Sequence, residues 1–353
     1  MNGERSAILH YVGYDDDRGG IVSIVHALAA AGRFQCCLGL NSGGRQERRP
    51  ALPQADFSRL DGEAMGPANF WRARQVAREV RAWLQAGPRR IFHGHSRAGL
   101  LAALWLQHWG ERRVVASVHC YGSQRWFYRW AAGRLGQRLF WLSPAMRAYY
   151  GIPGAGWERC IPGGVARSTV TPSVPDGYTL RLGGIGAVVP WKSWELVIEA
   201  IALLPAALRA RVTFEHIGAG APPAVAALRT RAQAAAIADQ VRFDGVEPGP
   251  ERLLGQIDAL VIASDREPFS MAMLEALAAG VPVIAADSGG ATDVIQSGVN
   301  GELFATGEAR SLADTLARWL DCRPALDRAK IRATTILAED IAGRWEKVYS
   351  GLE

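Results

Sequence analysis

The sequence predicts an α/β protein built from two doubly wound domains, each a parallel sheet covered by helices. Three observations carry this. The chain has 353 residues, beyond the size at which one core usually stops growing, so two domains of roughly 170 residues each are expected. Short apolar runs alternate with amphipathic stretches, the cadence of strands and helices in a parallel sheet. That cadence runs twice, and between the two runs residues 161–177, IPGGVARSTVTPSVPDG, break every periodicity with glycine, proline and small polar residues, as an interdomain linker does.

In the first run, residues 7–13 read as a strand and 21–31 as a helix, followed by 35–40 (strand), 72–85 (helix), 91–95 (strand), 99–108 (helix) and 114–119 (strand). The hinge is placed near residues 165–176. After it come 178–185 (strand), 193–204 (helix), 212–217 (strand), 223–236 (helix), 241–244 and 259–263 (strands), 270–279 (helix), 283–285 (strand) and 311–320 (helix). The expected division is a first domain over 1–166, a linker over 167–177, a second domain over 178–334 and a terminal segment over 335–353. Residues 331–349 read as helical and are a candidate to cross back onto the first domain. Ligands of such sheets sit outside the carboxyl ends of the strands, so two of them facing each other are expected to form a central cleft.

Composition narrows the function classes. Hydrophobic residues make up 49% and charged residues 21%, a globular balance that argues against disorder. No run approaches the roughly 18 apolar residues of a spanning helix, and the N-terminal stretch is too short and polar for a signal sequence. The five cysteines include no CxxC pair, which suggests neither a disulfide framework nor a zinc site and fits a reducing cytoplasm. The formal charge is +6, with arginine concentrated in the first half. Two readings stand: attraction to anionic lipid or a phosphorylated substrate, or a solvated surface. No basic-aromatic module or zinc-finger spacing points to nucleic acid.

The most informative segment is 259–304, ALVIASDREPFSMAMLEALAAGVPVIAADSGGATDVIQSGVNGELF. A buried strand ends in a polar loop containing Ser264, Asp265, Arg266 and Glu267. Pro268 then sits where a helix would begin, so the free N–H groups around Ser270 and Met271, with the positive end of the helix dipole, form a site for a diphosphate. Glu267 can reach a neutral hydroxylated group beyond the phosphates. Glu275, further along the helix, can accept both vicinal hydroxyls of a ribose. The plainer alternative makes Glu267 a helix-start charge and Glu275 a solvated helix residue.

Glu267 and Glu275, with Pro268, Phe269, ALAAG at 276–280, VPVI at 281–284 and SGG at 288–290, resemble the E-x7-E signature of glycosyltransferase family 4. The resemblance continues in order along the chain. Arg18, Gly19 and Gly20 look like the N-terminal glycine loop, VHCYG at 118–122 like the strand end with an active-site histidine, and LSP at 142–144 like the strand before a later helix. IPGGV at 161–165 is similar to the family's IPNGV, and VPWK at 189–192 to its VPEKG.

What the resemblance implies is a GT-B fold with two Rossmann-like domains, transfer with retention at the anomeric carbon, and no metal or other cofactor. Glu267, His119 and Lys192 become the catalytic candidates. Glu267 would contact the donor sugar, Glu275 the ribose, Lys192 the diphosphate, His119 the transferred sugar, and Gly19 with Gly20 the phosphate from the opposite domain. Pro268, Phe269, Ser270 and Met271 complete the donor site. Arg18, His93 and His95 are acceptor-side candidates. The partners implied are a nucleotide sugar and a glycan or lipid-linked acceptor, with synthesis of a cell-surface glycan at the cytoplasmic membrane face.

One departure stands out: Ala187 takes the place where the family usually has arginine, five residues before the lysine, with Arg18, Arg181 and Arg266 as candidate replacements. It keeps open a nucleotide-sugar-binding protein without catalysis, and an epimerase on the same fold stays a third reading. Ser193 and Ser270 also stand where glycine is common. His93 and His95 admit metal binding, a cleft-lining polar role or plain structure, and no third metal ligand is evident. Asp15, Asp16 and Asp17 read as a solvated turn rather than a metal motif. The glycines of 183–186 and 218–220 lack the full dinucleotide pattern. The aromatic, basic stretch 124–141 reads either as a membrane-facing surface or as ordinary packing.

Overall fold

The computed structural model describes residues 5–17, 19–48, 50–62, 64, 66–322 and 326–352. The chain divides into two compact units, one running through Ala166 and resuming at Ile336, the other spanning Arg167–Thr335.

The first unit runs β1 (Ala7–Tyr11), α1 (Gly20–Ala30), β2 (Gln35–Asn41), β3 (Gln54–Phe57), α2 (Pro67–Gln85), β4 (Arg90–Gly94), α3 (Arg97–His108), β5 (Val114–Val118), α4 (Arg125–Leu135), β6 (Leu139–Trp141) and α5 (Pro144–Tyr149). Its six strands are parallel, in the order β3-β2-β1-β4-β5-β6. The central strands are covered on both faces, which is why they read as continuous apolar runs.

The second unit runs β7 (Leu180–Ile185), α6 (Trp194–Ala202), α7 (Ala206–Arg209), β8 (Val212–Ile217), α8 (Pro222–Ala234), β9 (Val241–Gly245), α9 (Glu251–Gln256), β10 (Ala259–Ile262), α10 (Met271–Ala279), β11 (Val283–Ala286), α11 (Ala291–Val294), β12 (Gly301–Phe304), α12 (Ala309–Cys322) and α13 (Arg328–Ala333). Its order is β12-β11-β10-β7-β8-β9. Counted within the unit, that is the same order as in the first. α12 shows how the sequence builds this core: Leu312, Ala313, Leu316, Trp319 and Leu320 recur at helical spacing and bury one stripe against the sheet.

The two sheets therefore share the doubly wound order 3-2-1-4-5-6, in which the chain reverses direction between the first and fourth strands. These pivots lie between β1 and β4 and between β7 and β10. Loops leaving the carboxyl ends of those strands diverge to opposite faces, and the gap between them is where such sheets take ligands.

Three expectations need correcting. Residues 331–349 are not one helix: α13 ends at Ala333, and α14 (Ala338–Ser350) follows and packs within the first unit beside α1. The expected linker is strapped to the second unit, with Ser173 N–H donating to Gly255 O at 2.8 Å and Arg328 and Arg332 donating to carbonyls of residues 170–173. The aspartate run is a solvated turn only in part: Asp15 is exposed and Asp16 half-buried, but Asp17 is not solvated. Asp17 is fully buried and accepts the backbone N–H groups of Glu47 and Arg48 at 2.9 and 2.8 Å. Burial pushes its carboxyl up, but these donors outweigh burial and hold it below the usual carboxylate range.

Candidate active site

At the pivot of the second sheet, the loop after β7 carries Lys192 and the loop after β10 carries Glu267. Lys192 Nζ donates to Glu267 Oε2, and Ser264 Oγ donates to the same oxygen at 3.0 Å. The side chains are only 18% and 12% exposed, so each charge depends on the other for compensation. Backbone bonds lock the surrounding loops: Asp265 N–H to Trp191 O at 3.1 Å, Gly290 N–H to Glu267 O at 3.2 Å, and Ser288 Oγ–H to Ser264 O at 3.0 Å. Gly290 is required here, since a Cβ at that position would lie 2.6 Å from the Phe269 ring and 2.8 Å from Pro268 O.

α10 begins beside this pair. Ser270 caps it, accepting Met273 N–H at 3.3 Å, so the serine that replaces a common glycine satisfies one first-turn donor. The N–H groups of Met271 and Ala272 have no acceptor inside the helix and carry the positive end of its dipole. Phe269 is buried and anchors the turn, while Glu275 lies half-buried two turns beyond Glu267. Ser193 enters α6 at φ 53°, a left-handed conformation that glycine adopts without strain and serine does not.

The loop at Ala187 is held by Trp194 Nε1–H donating to Ala187 O at 3.0 Å. Arg181 does not replace the missing arginine. It begins β7, at the sheet's opposite edge, where Nε and Nη2 donate to the two oxygens of Asp258 at 3.1 and 2.7 Å. Arg266 stands exposed in the Glu267 loop, and Arg18 lies outside the described residues.

Sequence reasoning missed a neighbouring recess of about 680 Å³ at the carboxyl ends of β8 and β9, lined by His216, Gly218, Gly220, Gly245 and Val246 among others. Val246 is 75% exposed at its edge. Its signal in the sequence is the glycines of 218–220, which read there as an incomplete dinucleotide loop.

The first sheet's pivot holds imidazoles instead of opposite charges. His10 on β1 pairs in register with His93 on β4; His95 follows β4 and His119 follows β5. Ring nitrogens of His10 and His95 lie 2.9 Å apart, and those of His95 and His119 3.0 Å apart. His93 is bonded to the hydroxyls of Tyr349 at 2.7 Å and Ser117 at 2.8 Å. The Gly94–Gly99 contact permits this crowding: a Cβ on Gly94 would stand 2.5 Å from the Gly99 carbonyl oxygen, so only glycine lets α3 start so close to β4. Burial pushes the His10 and His119 imidazoles down to about 3. Burial, then neighbouring imidazoles, holds His93 and His95 well below the usual range.

His93 and His95 are buried, so they support the pivot from within rather than line an acceptor surface. His10 is the third imidazole the sequence did not reveal, and nitrogens of His10, His93 and His95 come within 4.8 Å of one another. Both nitrogens of His93, both of His95 and Nδ1 of His10 are already hydrogen-bonded within the protein. The set fits a hydrogen-bond network better than a metal centre. Gly19 precedes α1 at φ 95°, with Gly20 exposed at the helix start, so that N-terminus is open to an anion.

Residues 181–335 match the family model described as Glycosyl transferases group 1. A D-inositol 3-phosphate glycosyltransferase of Geodermatophilus obscurus is 31% identical over 210 residues, covering 57% of this chain and 45% of that protein. The chain thus spans less than half the length of this curated relative. Among solved structures, Anabaena HepE in complex with UDP and glucose superposes with a TM-score of 0.74 at 18% identity, covering 98% of this chain and 100% of that one. The lipopolysaccharide outer core galactosyltransferase WaaB in its apo form gives 0.75 at 16% identity, covering 98% and 99%. The fold is GT-B.

Proposed function

We propose that the chain is a retaining glycosyltransferase that moves a sugar from a nucleotide-diphosphate sugar to an acceptor hydroxyl, in cell-surface glycan or glycolipid synthesis. The observation that carries this reading is the Lys192–Glu267 pair beside the open N-terminus of α10, inside the segment that matches the group 1 glycosyl transferases. Lys192 and the first turn of α10, at Ser270 and Met271, meet the diphosphate; Glu275 takes the ribose hydroxyls; the recess at Val246 takes the base; Glu267 meets the donor sugar. As the glycosidic bond to phosphate breaks, negative charge collects on the leaving diphosphate. Lys192 and the helix dipole stabilise that charge without a metal ion.

In the first unit, His119 meets the transferred sugar and Gly19 with Gly20 a phosphate, while the same unit takes the glycan or lipid-linked acceptor. HepE was captured with UDP, which makes UDP sugars the first donors to try. α4 supports a peripheral association with anionic membrane on the cytoplasmic face. It buries Phe127, Tyr128, Ala131 and Leu135 and leaves Arg125, Trp126, Arg129, Trp130 and Arg134 exposed. The buried face accounts for ordinary packing, and the exposed face is what supports the membrane-facing reading.

Ala187 favours a second reading, a protein that binds nucleotide sugar without transferring it, because a guanidinium is missing where diphosphate would be clamped. The deciding experiment is a transfer assay on wild type and Glu267→Ala with a chelator present. The expected result is metal-free transfer that falls about a hundredfold or more in the variant. Full transfer by Glu267→Ala removes its assigned role, and donor binding without turnover selects the second reading.

A further inference from the structure

Three imidazoles run in line across the first pivot: His10 Nδ1 to His95 Nε2 at 2.9 Å, then His95 Nδ1 to His119 Nε2 at 3.0 Å. A neutral imidazole carries one N–H and one bare nitrogen. Each link needs an N–H facing a bare nitrogen, so only two proton arrangements satisfy both links, and each sets all three tautomers together. In one, every ring is protonated on Nδ1: His10 donates to His95, His95 donates to His119, and His119 keeps a free Nδ1–H. In the other, every ring is protonated on Nε2, the donations reverse, and His119 Nδ1 is bare.

The ends of the chain decide between them. His10 Nε2 and His119 Nδ1 both lack a hydrogen-bond partner among the described residues. His10 is fully buried, its ring tilted against those of His93 and His95. A hydrogen on its Nε2 would be an orphaned buried donor, which proteins tolerate less readily than an unfilled acceptor. His119 Nδ1 is equally withdrawn from solvent, but it follows β5 at the carboxyl end of the sheet, the end at which such sheets take ligands, so a ligand there can complete its bonding, whereas His10 lies within β1. His93 stands outside the chain because Ser117 and Tyr349 already occupy both of its nitrogens.

We infer that His10 and His95 are positioning residues that hold His119 as a neutral hydrogen-bond donor through Nδ1, offered to an oxygen of the sugar or its phosphate. The identity of that oxygen rests on the glycosyltransferase reading; the tautomer does not. The arrangement suits that chemistry, since glycosyl transfer builds positive charge on the sugar, which an imidazolium would oppose and a neutral N–H does not. A hydrogen bond on one ring nitrogen fixes the role of the other, and here that relation is passed through two rings.

The test is ¹⁵N NMR of the full chain labelled at histidine, which separates protonated from bare ring nitrogens, with resonances assigned through single replacements. The expected result is Nδ1–H on His10, His95 and His119 near neutral pH. Nε2–H on His119, or a doubly protonated ring, overturns the inference. Two variants add a kinetic readout. His10→Asn keeps an N–H to donate to His95 and retains the His119 tautomer, whereas His10→Leu removes it, mixes the His119 tautomers and lowers kcat about tenfold at unchanged donor KM. Equal kcat in the wild type and both variants overturns the positioning role. Nδ1–H tautomers in a protein with no transfer activity would support the imidazole chain and sink the transferase reading instead.

Discussion

Between β1 and β4 the structure sets neutral imidazoles in the core; at the equivalent place between β7 and β10 it sets an ammonium against a carboxylate. Both sheets have the same strand order, so topology specifies where a ligand site can be and says nothing of its chemistry. The difference comes from a few loop residues. In the second unit, Lys192 and Glu267 face each other as an ion pair. In the first, His10 and His95 are hydrogen-bonded to other imidazoles, and burial lowers both rings. On the proposed function, one pivot meets an anion and the other presents a polar group without charge.

The largest effect that separates the two is acid sensitivity. The His10 imidazole falls from an ordinary value of 6.5 to about 3 in the folded protein, so below pH 6.5 the unfolded chain binds a proton that the folded one refuses. Its stability contribution is complete above 6.5 and is lost as the pH falls toward 3. At pH 5 the loss is about 2 kcal/mol for this residue alone. His93, His95 and His119 act in the same direction, against His216, the one histidine in the sequence of the second unit, where burial lowers the ring to about 4. Hydrogen exchange at pH 7.5 and pH 5 is expected to show first-unit peptides losing more protection than second-unit peptides. Equal loss in both units would remove the contrast.

A smaller effect concerns the surface. Trp126 and Trp130 are 65% and 42% exposed on α4, each able to contribute a modest interfacial affinity alongside the neighbouring arginines. Trp126→Ser with Trp130→Ser is expected to weaken sedimentation with anionic vesicles several-fold, on the order of 1 kcal/mol, and to leave nucleotide binding in the second unit unchanged. Vesicle binding that does not change in the double variant would return α4 to an ordinary packing role.

The fold class was legible because both faces of each sheet are covered, so strands such as residues 259–263 appear as uninterrupted apolar runs. β3 escaped notice because it is an edge strand of four residues with only Phe57 buried. β6 was hidden because its Leu-Phe-Trp sequence continues the aromatic composition of α4. In the second pivot, Lys192, Glu267 and the start of α10 were readable because proline, the polar loop and the helix stand together in sequence. The first pivot was not readable. His10 is one polar residue in an apolar strand, and its partner His95 lies 85 residues away; only strand pairing brings them together. Asp17 misled for a similar reason, since the backbone donors that bury it come from residues 47 and 48.

The central claim is that the second pivot binds a nucleotide diphosphate through Lys192, the start of α10 and Glu275. A thermal-shift series with UDP, GDP and ADP on wild type, Lys192→Ala and Glu275→Ala tests it most directly, since a ligand that binds only the folded state raises the unfolding temperature. The account predicts a clear rise with one of the three nucleotides in the wild type, lost in both variants. No rise with any of them in folded wild-type protein, or a rise that survives in both variants, would contradict it.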